Sequence, residues 1–141
     1  MCFEVKDVKK SINADESILE ILKYSHFNPT RKKLEGLVKK YHENKDIFPF
    51  ASLDKGKTLG VIVIKKINHG FYEIIDISVA PGFRTQGIAS KLIDYVIEKF
   101  NIKNLFAETD NDAVGFYKKY GFKTEFIKDK EYTRYKCVLL V

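Results

Sequence analysis

Residues 79–92 read VAPGFRTQGIASKL and decide the fold. The stretch begins at the end of an apolar strand, passes through a loop that contains a glycine and enters an amphipathic helix. The first amides of a helix have no partner within the helix, and the helix dipole favours an anion at that end. A strand that leads into such a helix start is typical of a phosphate site. The sequence therefore predicts a cradle for a pyrophosphate at this loop.

Length and composition predict one folded domain. The chain has 141 residues, of which 45% are hydrophobic and 31% are charged. A chain of this length buries roughly two thirds of the surface that it exposes when unfolded, so we expect residues 1–141 to share one core. The first residues lack the apolar run of a signal peptide, and no segment is long and apolar enough to cross a membrane. We expect a cytoplasmic protein, monomeric or homodimeric, that does not act at a membrane.

The net charge of +6 raises the question of a polyanionic partner. The basic residues are spread along the chain, and the local groups at 31–33 and 39–40 are typical of a solvated helix face rather than of a nucleic-acid surface. The cysteines, Cys2 and Cys137, lie at opposite ends without a CxxC motif. This spacing supports neither a zinc site nor a disulfide framework, so we expect no metal and interpret both cysteines as structural or incidental.

The N-terminal half predicts two helices followed by a meander. After a short strand at 3–5, the first helix is expected to be capped at Asn13, with Glu16 completing a capping box, and the second at Thr30. The next segments are rich in β-branched and aromatic residues and are joined by Gly or Asn turns, which predicts an antiparallel meander. Its strands are expected at 47–53, 58–65 and 71–79.

The C-terminal half predicts one crossover and a closing strand pair. A strand at 105–108 is expected to run parallel to the strand at 71–79, because a helix crosses between them. Asp110 or Asn111 can cap a further helix, and Gly121 suits its end. The last two strands, expected as an antiparallel pair, lie at 122–127 and 132–139.

Two motifs carry a resemblance to a known family. Residues 84–89, RTQGIA, have the form R-x-x-G-x-A after V-x-P and before an apolar-periodic helix. Residues 111–122, NDAVGFYKKYGF, match N-x-x-A-x-x-x-Y-x-x-x-G-F in loose form, with Ala113 one position early. In these motifs the chain resembles the GCN5-related N-acetyltransferase (GNAT) family. The resemblance implies an α/β (mixed α+β) fold, in which about four helices flank a mostly antiparallel sheet with one parallel β-α-β crossover.

The resemblance also implies a reaction, in which acetyl-CoA gives its acetyl group to a primary amine of a small molecule or peptide by direct attack. The loop amides would hold the CoA pyrophosphate, with Gly87 allowing close approach and Arg84 adding charge. The strand end would hold the pantetheine arm, and the Ile77 N–H would polarise the thioester oxygen. Asn111 would bond the arm, or else cap a helix. The expected acetyl-CoA contacts are Ile77, Ser78, Val79, Arg84, Thr85, Gln86, Gly87, Ile88, Ala89, Ser90, Asn111, Phe116 and Tyr117.

Tyr117 is the expected general acid. It follows Phe116 and precedes Gly121 by four residues, which is the F-Y-x-x-x-G-F spacing of the family. The resemblance places this tyrosine near the cofactor sulfur. A phenol, with a pKa of about 10, is a suitable donor to a departing thiolate of similar basicity. Core packing, or positioning of the sulfur, is the alternative role.

The base that frees the amine has three candidates. The resemblance implies Glu73, and its even spacing from Val79 puts both on one face of a regular strand. At roughly 3.3 Å per residue, Glu73 stands about 13 Å from Ile77 and would act through ordered water. Asp76 is nearer but has the opposite parity, so it needs a β-bulge to face the same side. Bulk water is the third candidate.

Two functions of other classes stay open. A catalytically silent acyl-CoA-binding or sensing module would keep the loop at 84–89, and a basic nucleic-acid-binding protein would use residues 31–40. His26, His42 and His69 share no metal-ligand spacing, and we interpret each as a surface or turn residue.

The acceptor amine has no motif of its own in the sequence. Acidic groups around the opening beyond the sulfur, such as Glu73, Asp76 or Glu131, would favour a polyamine or a cationic drug.

Overall fold

The computed structural model describes residues 3–128 and 133–141, and within them the strands form one sheet. The strands are β1 (Glu4–Asp7), β2 (Ile47–Asp54), β3 (Lys57–Asn68), β4 (Phe71–Val79), β5 (Asn104–Thr109), β6 (Lys123–Lys128) and β7 (Thr133–Leu140). The α-helices are α1 (Glu16–Leu22), α2 (Arg31–Glu43), α3 (Ile88–Lys99) and α4 (Val114–Tyr120).

The sheet has the order β1-β2-β3-β4-β5-β7-β6. Strands β4 and β5 pair in parallel, and every other neighbouring pair is antiparallel. Helix α3 makes the crossover between the two parallel strands. The mixed α/β fold with one parallel crossover is therefore confirmed, together with the meander and the closing strand pair.

The two faces of the sheet carry separate cores. On one face, α1 and α2 bury apolar residues such as Ile18 and Val38 against Val61 and Val63 of β3. On the other face, α3 and α4 pack over alternate residues of the same strands. The alternation follows from the two-residue period of a strand, which sends neighbouring side chains to opposite faces. Within the described residues, no helix is long and apolar enough to cross a membrane.

The N-caps of the first two helices show one confirmed expectation and one correction. Thr30 caps α2, where its hydroxyl accepts from the Lys33 amide at 3.2 Å. Asn13 does not cap α1, because it lies inside a 3-10 turn. Asp15 has the extended backbone that a cap requires, and its carboxylate accepts from the Ser17 amide at 3.0 Å.

A close approach between β3 and α3 fixes the position of the α3 N-terminus. A Cβ added at Gly60 would lie 2.9 Å from Cγ2 of Ile88 and 3.3 Å from the carbonyl oxygen of Ser78. Only glycine allows the helix to lie this near to the strand. The start of α3 is thereby held beside the end of β4.

Candidate active site

Strands β4 and β5 part after a short paired stretch. They pair only where Phe71, Tyr72 and Glu73 meet residues 104–106. Beyond Glu73, β4 stays paired with β3 and β5 stays paired with β7, so the two strands no longer share a ladder. Their facing backbone groups need other partners, and a ligand lying between the strands can supply them.

A β-bulge in β4 determines which side chains face this opening. Val63 and Ile64 of β3 are paired with Asp76 and Ile74, so Ile75 is an extra residue in β4. A bulge of this kind shifts the alternation of a strand by one position. Asp76 therefore faces α1 and α2.

The bulge corrects one expectation about the base candidates. The neighbours of Glu73, Tyr72 and Ile74, belong to the core on the α3 side of the sheet. Because side chains alternate along a strand, Glu73 faces α2. Val79 packs on the α3 side of the sheet. Its neighbour Ser78 points to the opposite side, where its hydroxyl donates to the carbonyl oxygen of Ile21 in α1 at 2.6 Å. The expectation that Glu73 and Val79 share a face is therefore wrong. The bulge that Asp76 needs is present.

A cleft of about 680 Å³ runs through the split between β4 and β5. Its volume is in the range of small-molecule and cofactor sites. It joins the start of α3 to the segment between α1 and α2. Its walls are formed by Tyr24, Ser25, His26, residues 74–79, Arg84, Ala89, Glu108, Thr109, Asp110, Asp112, Ala113, Phe116, Tyr117 and Arg134.

The end of the cleft at α3 suits a diphosphate. The first bond of the helix runs from the Lys91 amide to the Gly87 carbonyl at 3.0 Å, so the amides of residues 88–90 have no helical partner. Gly87 has a φ of 74°, which only glycine adopts readily, and a Cβ there would meet nothing within 4 Å. The backbone is therefore open towards a ligand. Ala89, in the first turn of the helix, lines the cleft.

Arg84 lines the cleft. Its Nε donates to the carbonyl oxygen of Val79 at 3.2 Å, and its guanidinium carbon lies 5.7 Å from the ring centre of Tyr24. The positive charge thus lies near the strand end and the α1–α2 segment. A charge in this position adds to the attraction of the helix N-terminus for an anion.

Tyr117 projects into the cleft from α4. Its ring centre lies 5.3 Å from that of Phe116 and 5.2 Å from that of Phe122, and the residue is 4% exposed. Burial, with the nearby Cys137 and carboxylates, raises the pKa of the Tyr117 phenol. The phenol therefore keeps its proton at neutral pH and is available as a donor.

Two neighbouring residues before α4 have different roles. Oδ1 of Asp110 accepts from the amides of Asp112 and Ala113, each at 3.0 Å, so Asp110 caps this turn. Oδ1 of Asn111 accepts from the hydroxyl of Tyr135 at 2.9 Å. Asn111 is not part of the cleft wall, although its neighbours are. Its contact with CoA stays a prediction.

Asp76 lies in the wall of the same cleft. Its carboxylate accepts from the hydroxyls of Ser25 at 2.6 Å and Tyr41 at 2.9 Å, and it bonds Nε2 of His26 at 2.7 Å. Burial and the Asp76 charge raise the pKa of Tyr41, which therefore stays a hydrogen-bond donor. Glu73 lies outside the cleft wall, and burial raises its pKa with help from Glu108.

His26 is the residue that the sequence interpretation missed. It was expected to be a surface or turn residue, but it lines the cleft and bonds a buried carboxylate. Its partner lies 50 residues away, and no local motif announces the pair. The one available signal was its place between the first two predicted helices.

Glu131, the third acidic candidate, and Cys2 lie outside the described residues. Cys137 is buried and unpaired with another cysteine among them, as a structural role requires. In the described ranges, no group of three His, Cys, Asp or Glu side chains comes together as a metal site.

Comparison with known proteins decides the family. The family model described as "Acetyltransferase (GNAT) family" matches residues 16–122, which include the meander, the α3 loop and the whole of α4. The chain belongs to the GNAT acetyltransferase family. Among curated protein sequences, none matches it.

Solved structures share the fold of this GNAT chain over nearly its whole length. Ard1 from Thermoplasma volcanium is 22% identical with a TM-score of 0.75, covering 100% of this chain and 99% of its own. A GNAT family acetyltransferase from Elizabethkingia anophelis with acetyl-CoA bound is 18% identical with a TM-score of 0.71, covering 99% and 98%. The IAA acetyltransferase from Bacillus cereus ATCC 14579 is 17% identical with a TM-score of 0.72, covering 99% and 100%. Family membership supports acetyltransferase activity.

Proposed function

We propose that residues 1–141 act as one N-acetyltransferase domain, which transfers the acetyl group of acetyl-CoA to a primary amine of a small molecule or peptide. One observation carries the proposal: a single cleft connects the α3 N-terminus with Tyr117 and Asp76 through the split between β4 and β5. With the diphosphate of acetyl-CoA at one end and the amine at the other, the acetyl group and the amine would meet where the strands part.

The donor would be held mainly by the backbone. The amides of residues 88–90, with Gly87 open in front, would bind the pyrophosphate. The free edge of β4 would pair with the pantetheine arm, and the N–H of Ile77 would bond the thioester oxygen as negative charge develops there. Bound in this way, acetyl-CoA supplies an activated acyl group close to Tyr117.

The reaction would be a direct transfer. The amine first loses a proton, its nitrogen then forms a bond to the carbonyl carbon, and the carbonyl electron pair moves to oxygen. The carbon–sulfur bond breaks as the carbonyl re-forms, and the sulfur takes the proton of the Tyr117 phenol. The phenolate regains a proton from the new amide nitrogen. The sum is an amide, free CoA and one released proton.

The amine must lose its first proton to a base, and the three earlier candidates differ in position. Asp76 lines the cleft, but its carboxylate already accepts from three donors. Glu73 lies outside the cleft wall and would need a chain of water molecules to reach the amine. Bulk water reaches any open cleft.

The test is a panel of amines that includes a polyamine, an aminoglycoside, lysine and a peptide N-terminus. We expect acetyl-CoA to release thiol only when an accepted amine is present, with the acetylated amine detected by mass spectrometry. CoA binding is measured in parallel by calorimetry. Binding of CoA without transfer to any amine would favour the silent acyl-CoA-binding module and contradict the proposal.

A further inference from the structure

His26 and Asp76 form a pair in the wall of the cleft. Nε2 of His26 lies 2.7 Å from Oδ2 of Asp76, and the histidine side chain is 32% exposed whereas the aspartate side chain is 1% exposed. The imidazole thus lies between a buried carboxylate and the open cleft. An exposed ring on a buried partner is a common arrangement of a proton acceptor.

The carboxylate fixes the tautomer of the ring. An ionised carboxylate can only accept, so Nε2 of His26 carries the hydrogen and Nδ1 keeps its lone pair. The hydroxyls of Ser25 and Tyr41 donate to the same carboxylate and hold it in place. The pair is therefore oriented by three different parts of the chain: the α1–α2 segment, α2 and β4.

We propose that His26 is the base that takes the proton from the acceptor ammonium, and that Asp76 is the positioning residue that orients it. This inference rests on the proposed N-acetyltransferase function. It replaces the three earlier candidates with a residue that lines the cleft and whose Nδ1 accepts no hydrogen bond from the residues that the structure describes.

The proton balance is simple. Nδ1 of His26 takes one proton from the ammonium, which gives an imidazolium and a neutral amine. The imidazolium is stabilised by Asp76 through the Nε2–H bond. After transfer, the imidazolium returns the proton to solvent, and this is the one proton released in the overall reaction.

The ionisation of His26 gives the reaction a pH dependence. The hydrogen bond to Asp76 raises the pKa of His26 above its ordinary value, while burial opposes this rise. Because only neutral imidazole accepts a proton, the activity should fall as the pH drops through this raised pKa. The charged and titratable groups that line the cleft with His26 are Tyr24, Asp76, Arg84, Glu108, Asp110, Asp112, Tyr117 and Arg134. Lys23 precedes His26 in the same segment, and Tyr41 donates to Asp76 from α2.

The experiment measures the pH profile of kcat/KM for wild type, His26→Gln and the control His69→Gln. His69 is exposed in the β3–β4 turn, outside the cleft wall. We expect kcat/KM of His26→Gln to be roughly 10²-fold lower than that of wild type and to lose the acidic limb, which is the fall in kcat/KM at low pH. His69→Gln should keep the wild-type rate and the acidic limb. Added imidazole should restore part of the rate of His26→Ala. The profile is measured with two amines of different pKa. A limb that is due to an enzyme group stays at the same pH with both amines.

Two further variants test the interaction between His26 and Asp76 without removing the histidine. Asp76→Asn should move the limb to lower pH, because the carboxylate raises the His26 pKa. Tyr41→Phe removes a donor from the carboxylate and should move the limb to higher pH. Titration of the His26 ring by NMR gives the same pKa in the absence of substrate and includes any variant too unstable for kinetics.

The outcomes separate this inference from the proposed function. If wild type acetylates an amine and His26→Gln keeps its rate and its limb, the role of His26 is overturned and the N-acetyltransferase proposal stands. A lower rate with an unmoved limb would assign His26 a structural role and also overturn the inference. If wild type acetylates no amine, both proposals fail together.

Discussion

Tyr117 has the environment that a proton donor to a thiolate requires. Phe116 and Phe122 both pack edge-to-face against the phenol ring. They keep the ring in one orientation and exclude water from it. The raised pKa that follows from burial keeps the proton on the oxygen at neutral pH, as the proposed donor role requires.

Removing this hydroxyl should slow the chemical step. We expect Tyr117→Phe to lower kcat by roughly 10²-fold, which is the usual effect of a lost general acid, with little change in KM for acetyl-CoA. Tyr120→Phe is the matched control, because the Tyr120 hydroxyl donates to Asp94, away from the cleft wall. Equal rates for the two variants would assign Tyr117 a packing role.

Two residues of the cleft show why sequence predicts one site residue and misses another. Tyr117 belongs to a motif whose spacing is set by one helix, so its neighbours in sequence are also its neighbours in space. His26 owes its position to Asp76, and only the folded sheet brings the two together. Local spacing cannot encode a contact of that range.

At the scale of elements, the site depends on how β3, β4 and α3 meet. The bulge at Ile75 turns Asp76 towards α2 and the α1–α2 segment, and the short pairing with β5 opens the split. Gly60 lets α3 approach β3, which holds the helix start beside the strand end. The opening and the helix N-terminus are thus set by one small group of backbone contacts.

A methyl group at position 60 should disturb this arrangement. Gly60→Ala places a carbon 2.9 Å from the Ile88 methyl and 3.3 Å from a backbone oxygen, so α3 must shift. We expect a loss of about 1 to 3 kcal/mol in the free energy of unfolding, measured in urea, and weaker CoA binding by calorimetry. Gly36→Ala is the control, since its Cβ meets nothing within 4 Å. Unchanged CoA affinity in Gly60→Ala would contradict the proposed link between this contact and the cradle.

The sequence predicts the elements better than their irregularities. The periodicities of apolar residues place helices and strands because burial imposes them along the whole element. The bulge in β4 depends on pairing with β3 and leaves no mark in the alternation of residues 71–79. The predicted cap of α1 was Asn13, but the observed cap is Asp15, because a 3-10 turn precedes the helix. Several polar residues lie there, and each is of a type that can cap a helix.

At the scale of the molecule, the site is shared by both faces of the sheet. Tyr117 belongs to the core under α3 and α4, whereas Asp76 and His26 connect β4 to the α1–α2 segment. The cleft passes between these two faces where β4 and β5 part. A bond that joins distant segments contributes to the stability of the whole fold as well as to the site.

The stability of the fold should therefore depend on pH through His26. Its folded pKa is raised above the unfolded value of about 6.5, so its contribution is fully present below that pH and is lost as the pH rises through the folded pKa. We expect the free energy of unfolding to differ more between wild type and His26→Gln at about pH 5.5 than at about pH 9. Urea unfolding at the two pH values tests this. A difference that is constant or grows with pH would contradict the raised pKa.

The fate of the acetyl group in a single turnover tests the central claim most directly. Excess protein is mixed with acetyl-CoA labelled in the acetyl group, an accepted amine is added, and protein and amine are both weighed by mass spectrometry. We predict that each CoA thiol released matches one acetylated amine, and that no acetylated protein appears before the amine is added. Label on the protein, or CoA release without an acetylated amine, would contradict direct transfer in this cleft.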